Sequence, residues 1–130
     1  MMFRDSEAFS GFSTDNIDKA KVFYEEILGL DVSVNTMGIL TLNLATGGTV
    51  IIYPKPDHVA ADYTVLNFPV EDIDETVEKL IALGTEFEQY DTEYLKTDGK
   101  GVARSNSPEK GPSIAWFKDP AGNILSVLED

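Results

Sequence analysis

The segment FSGFSTDNID, residues 9–18, recurs fifty-six positions later as VLNFPVEDID, residues 65–74. The two copies are in step at Phe12 and Phe68, at the polar pairs Asp15-Asn16 and Glu71-Asp72, and at Ile17-Asp18 and Ile73-Asp74. The match continues: IDKAKVFYEEILGLDV from Ile17 is answered by IDETVEKLIALGTEF from Ile73, with one residue fewer before the glycine. A chain of 130 residues is long enough for one domain and too short for two ordinary ones. The copies are therefore expected to share one domain over residues 1–130, with a first module at about residues 7–54 and a second at about 63–130.

Period and punctuation assign elements within each copy. Ile17, Ala20, Tyr24, Ile27 and Leu28 recur at helical spacing behind the capping cluster Thr14-Asp15-Asn16, which predicts a helix over residues 17–28 stopped by Gly29. The runs LDVSVN, GILTLNLA and TVIIYP follow, rich in Leu and β-branched residues and broken by Met37-Gly38 and Gly47-Gly48. In the second copy TVLNFPV reads as a strand, and Asp72 caps a helix over residues 73–83 with Glu75 placed to complete a capping box. EFEQY, GVAR, SIAWFKD and ILSVLE then read as strands, and DPAGN as a tight turn with Pro120 presetting φ and Gly122 tolerating a positive one. The expected fold is α+β: two βαβββ modules whose curved sheets surround a cleft.

One helix covers only one face of its sheet, so the other face is where function is sought. Alternation in the first strand puts Ser10 and Phe12 on one face and Phe9, Gly11 and Ser13 on the other. With Phe12, Phe68, Ile27 and Leu80 assigned beneath the helices, the cleft is expected to receive Phe9, Ile52, Tyr53, Val65, Asn67, Tyr90, Arg104, Trp116 and Ser126. These supply apolar and aromatic walls with a few polar groups to orient a ligand. Segments 91–101 and 105–112, polar and glycine-rich, are expected as flaps.

Composition excludes several partners. A formal charge of -13 repels phosphate backbones and anionic membranes and favours a cationic small molecule. Cysteine is absent, which removes disulfides and thiolate chemistry. No apolar run reaches the roughly 20 residues of a membrane span, and the start MMFRDSEAFS has no secretory apolar region, so a cytoplasmic protein is expected.

The paired modules, the FY…LGL helix and the terminal WFKDPAGNILSVLE together resemble the vicinal oxygen chelate superfamily of glyoxalase I, extradiol dioxygenases and fosfomycin- and bleomycin-resistance proteins. The resemblance runs from about Glu7 to Glu129. It implies a divalent metal held at positions that here are Phe9, Ile52, Val65 and Ser126. The first three carry no donor, with Ile51 and Tyr53 offering only a phenol if the last strand of the first module slips by one, and a lone Ser is a poor ligand. No metal and no cofactor are therefore expected. The resemblance also implies a homodimer.

Other chemistry has thin support in the sequence. His58, the single histidine, neighbours Asp57, Lys55 and Tyr53, and an Asp-His pair can make a general base, yet adjacent residues on an extended chain point apart. DGKG lacks phosphate-loop spacing, and no nucleophile elbow is present. Three readings result: a metal-free binder of a cationic or aromatic small molecule, like the bleomycin-resistance proteins; a metal-independent isomerase or lyase, or a glyoxalase-like enzyme with a non-standard site, drawing on His58, Tyr53, Asp57 or Arg104; and a regulatory dimer without a ligand. The first leads.

Overall fold

The computed structural model describes residues 2–105 and 111–130. Two compact units divide the chain, Met1–His58 and Val59–Asp130. Each carries one helical segment on one four-stranded mixed sheet.

In the first unit the order is β1 (Ser10–Thr14), α1 (Ile17–Val22), β2 (Asp31–Val34), β3 (Leu40–Asn43) and β4 (Thr49–Pro54), and the sheet runs β1-β4-β3-β2. β1 lies parallel to β4, as a helix crossover requires, and the remaining pairs are antiparallel. Asn16 caps α1, its Oδ1 accepting from Lys19 N at 3.0 Å. The expected single helix continues past Val22 as a π-helical turn, Phe23–Ile27, in which Leu28 N donates to Phe23 O at 3.0 Å. Gly29 follows at φ 72, and Leu30 N closes the end on Tyr24 O. The extra residue of the first copy is housed in that turn.

Register decides what each face of this sheet carries. Phe12 stands opposite Ile52, and Ile52 opposite Leu40. These three side chains share the face beneath the helix, where Phe12 meets Tyr24 with ring centroids 6.4 Å apart. Ala20, Tyr24, Leu40, Leu42, Val50 and Ile52 are buried there. The opposite face carries Gly11, Ser13, Thr41, Ile51 and Tyr53.

The second unit repeats the plan with β5 (Thr64–Pro69), α2 (Ile73–Ala82), β6 (Val102–Ala103), β7 (Ser113–Lys118) and β8 (Ile124–Glu129), ordered β5-β8-β7-β6. Asp72 caps α2 by accepting from Glu75 N at 3.0 Å, and Glu129 at the far end of β8 accepts from Ile73 N at 2.8 Å. The carboxylate of Glu75 pairs with Lys79 at 2.8 Å along the helix. Ile73, Val77 and Leu80 of α2 are buried, as are Ala115, Phe117, Leu125 and Val127 of β7 and β8. Phe68, in register with Val127, shares their face.

EFEQY forms no strand of its own. Phe87 makes one bridge to Phe117 and Glu88 N donates to Trp116 O, so the edge of β7 is covered by this point contact and by the two-residue β6. The loop between them crosses itself at Gly101, whose φ of +90 and close approach to Phe87 leave no room for a Cβ. The turn before β8 is built by the buried Asp119, whose Oδ1 accepts from Ala121 N and Asn123 N at 2.9 Å and whose Oδ2 accepts from Asn123 Nδ2. Most of the expected flap over residues 105–112 falls on residues 106–110, outside the described residues. No helix among the described residues is long and apolar enough to cross a membrane.

Candidate functional site

In the second unit α2 lies on the side of Phe68, Leu125 and Val127, so the face away from it presents the alternate residues. Asn67 is in register with Ser126, and Ser126 with Trp116. The Ser126 hydroxyl, fully buried, donates to Asn67 Oδ1 at 2.5 Å, which fixes the amide and leaves its Nδ2 hydrogens as the group it presents. Trp116 is held at both ends: its Nε1 donates to Thr64 Oγ1 at 3.1 Å, and Tyr90 stands edge-on to it at 5.6 Å and 84°. Indole, phenol, hydroxyl and amide are thereby set on one helix-free sheet face.

Thr64 enters through an irregularity. The register of β5 against β8 shifts between Thr64 and Leu66, so Thr64 stands opposite Ile124, on the same face as Ser126, and Val65 is the extra residue. Strict alternation assigns Val65 to this face and Thr64 to the other. The bulge brings Thr64 to this face instead.

Two expected lining residues belong elsewhere. Ile52 is fully buried beneath the first helix with Phe12 and Leu40, one register step from the face expected for it. Tyr53, its neighbour, holds the helix-free position. Arg104 is turned to the helix side of its sheet: its Nη1 and Nη2 grip both oxygens of Asp74 on α2, at 3.0 and 2.5 Å, and its Nε reaches Asp98 Oδ2 at 3.1 Å. The hydrogen bond to Asp74 pushes the guanidinium pKa further up and holds the Asp74 carboxyl below its ordinary range. Arg104 thus clasps the loop to the helix. Phe9 precedes β1 and is exposed.

Around the only histidine the contacts also differ from the sequence order. Asp57 pairs with Lys55 at 2.7 Å, which lowers its pKa, and Ser13 Oγ lies 2.6 Å from His58 Nδ1. Forty-five residues separate Ser13 from His58, so no local signal marks the pair. His58 is half-buried.

The divalent metal implied by the resemblance does not fit these residues. Phe9 and Val65 carry no donor, Ile52 is in the core, and Ser126 spends its hydroxyl on Asn67. Among the described residues no three His, Cys, Asp or Glu side chains gather to hold a metal.

No curated protein sequence matches the chain significantly. Solved structures share its fold. The genomically encoded fosfomycin resistance protein of Listeria monocytogenes superposes with a TM-score of 0.71 at 14% identity, covering 95% of this chain and 91% of that one. Lactoylglutathione lyase from Agrobacterium tumefaciens gives 0.68 at 18% identity, covering 96% and 93%. A glyoxalase family protein from Enterococcus faecalis gives 0.63 at 25% identity, covering 99% and 100%. Residues 10–127 match the sequence model of the Glyoxalase/Bleomycin resistance protein/Dioxygenase superfamily, a span that runs from the start of β1 into β8, and the chain belongs to this superfamily.

Proposed function

We propose that the chain is a metal-free small-molecule-binding protein of the bleomycin-resistance type, holding its ligand on the helix-free face of the second sheet. The observation that carries this reading is the fixed aromatic platform: Trp116, braced by Thr64 and Tyr90, beside an Asn67 amide oriented by Ser126. A rigid indole and an amide whose hydrogens already point outward lose little freedom on binding a flat ligand. The formal charge of -13 draws a cationic ligand toward the protein and repels an anionic one. Fosfomycin is small and anionic and fits that field poorly, although the resistance protein named for it shares the fold.

Trp116 is the only tryptophan, so its fluorescence reports directly on the face. Titration with metal-free bleomycin, a bulky cationic probe, is expected to quench it saturably, and Asn67→Ala is expected to weaken binding by about tenfold, in keeping with loss of one or two hydrogen bonds. Absence of saturable quenching, or quenching unchanged in Asn67→Ala, overturns the reading. Elemental analysis after dialysis is expected to find no stoichiometric transition metal. We propose further a cytoplasmic homodimer, and sedimentation as a monomer at micromolar concentration would remove the dimer.

A further inference from the structure

Ser13 and His58 lie outside the aromatic face of the second unit and outside the positions the family resemblance assigns to metal ligands. The fold makes their contact. β1 ends beside β4, Lys55 N donates to Thr14 O, and the turn in which His58 N donates to Lys55 O, each at 2.9 Å, returns the imidazole to Ser13. The Oγ to Nδ1 distance of 2.6 Å is at the short end for a hydrogen bond. Tyr53 is the register partner of Ser13 on β4, so its phenol rises from the same face. A hydroxyl, an imidazole in contact with it and a neighbouring phenol are the parts that acyl transfer uses as nucleophile, base and oxyanion donor.

We propose that Ser13 is a nucleophile with His58 as its general base, able to accept an acyl group from an activated ester. As Oγ attacks the acyl carbon, Nδ1 takes the hydroxyl proton. The bond from acyl carbon to leaving oxygen then breaks, the imidazolium returns the proton to the leaving group, and Ser13 carries an ester. Water, deprotonated by the same imidazole, attacks that ester; the acid departs and the hydroxyl of Ser13 is restored. Every step is a substitution balanced by one proton, so neither oxidant nor reductant is needed. Tyr53, which shares the face of Ser13, takes the role of donor to the carbonyl oxygen as it gains charge. Ser13 is only 9% exposed, which restricts the acyl group to small flat ones such as acetyl. None of this involves Trp116 or Asn67, so it goes beyond the binding reading and stands or falls without it.

The test uses p-nitrophenyl acetate with the full chain, following p-nitrophenol release and mapping acetyl groups by tandem mass spectrometry. The expected result is acetylation at Ser13, lost in Ser13→Ala and slowed about 100-fold in His58→Gln, the usual contribution of a general base. Tyr53→Phe is expected to slow it about tenfold while leaving the serine in place. Because Ser13→Ala removes a largely buried hydrogen bond and can unfold, the two variants that keep Ser13 carry the test, with near-UV circular dichroism verifying their fold. No acetyl at Ser13 together with p-nitrophenol release no faster than the uncatalysed rate in the unmodified chain overturns the proposal. So does acetylation at an undiminished rate in folded His58→Gln, which reduces the contact to a fastening of the segment after β4.

Discussion

The helix-free face of the first sheet carries Gly11, Ser13, Ile51 and Tyr53, whereas that of the second carries Asn67, Trp116 and Ser126 beside Thr64. The helix-facing sides keep what the repeat announces: Phe12 and Phe68 beneath the helices, Asn16 and Asp72 as caps, Ile17 and Ile73 opening each helix. Across the same offset Gly11 becomes Asn67 and Ser13 becomes Pro69. Burial under a helix imposes the same apolar pattern on both copies, and the other side is free of that demand. The repeated half builds the modules and the divergent half gives each its own set of side chains on the helix-free face.

The largest expected effect tests whether the repeated half is also energetically equal. Phe12 is 9% exposed and packs on the buried Tyr24, while Phe68 is only half-buried. Phe12→Ala is expected to cost about 3–5 kcal/mol in urea unfolding, and Phe68→Ala clearly less. Equal losses would mean that the two cores are equivalent despite the difference in burial.

An intermediate effect separates two glycines of one loop in the second unit. A Cβ at Gly101 would meet Phe87 Cβ at 2.7 Å and Glu88 O at 2.9 Å, with φ at +90, whereas one at Gly99 meets nothing. Gly101→Ala is expected to lower stability by about 1–3 kcal/mol and Gly99→Ala to change it by less than about 0.5 kcal/mol. Matching thermal midpoints for the two variants would show that the crossing point of the loop yields freely.

The smallest effect is electrostatic. Asp57 in the first unit and Asp74 in the second both have lowered pKa values, each chiefly through a hydrogen bond from a cation, Lys55 and Arg104 respectively. A carboxyl lowered by folding stabilises the fold above its unfolded pKa of about 4, and that contribution is lost as pH falls through the lower folded value. Lys55 and Asp57 are two residues apart and meet in the unfolded chain as well, while Arg104 and Asp74 are thirty apart and meet only on folding. Arg104→Ala is therefore expected to flatten the acid limb of stability below about pH 4 more than Lys55→Ala does, read from urea midpoints between pH 2.5 and 7. The reverse order would place the pH-sensitive pairing in the first unit. Both pairs are exposed, which keeps the difference small.

The amino-acid sequence displays the modules because their signals are local: helical spacing after Asn16 and Asp72, glycine stops, and the DPAGN turn. It displays faces only where strands alternate. In TVIIYP the run Val50-Ile51-Ile52 is apolar on both sides, so period two has nothing to detect, and Ile52 lies in the core, one step from the face expected for it. The bulge at Thr64–Leu66, the clasp of Arg104 on Asp74 and the pairing of Ser13 with His58 arise from distant segments meeting. No window of neighbouring residues contains them. A faint hint of the Thr64 contact was present in Trp116 itself, since a half-buried indole N–H requires an acceptor and a threonine begins β5.

The π-helical turn at Phe23–Ile27 bears on how such a duplicated chain tolerates changes of length. From Ile17 to Gly29 the first copy has one residue more than the second has from Ile73 to Gly84. Added to a regular helix, one residue rotates everything after it by about 100° and turns an apolar stripe away from its sheet. Widening a single turn absorbs the rotation where it arises. Insertion here costs one widened turn instead of a misdirected helix. A deletion of Glu25, exposed and within the turn, would by the same reasoning restore a plain helix of the length its twin already has. The duplicated halves of this chain can thus drift apart in length as well as in side chains while each keeps its strands in frame.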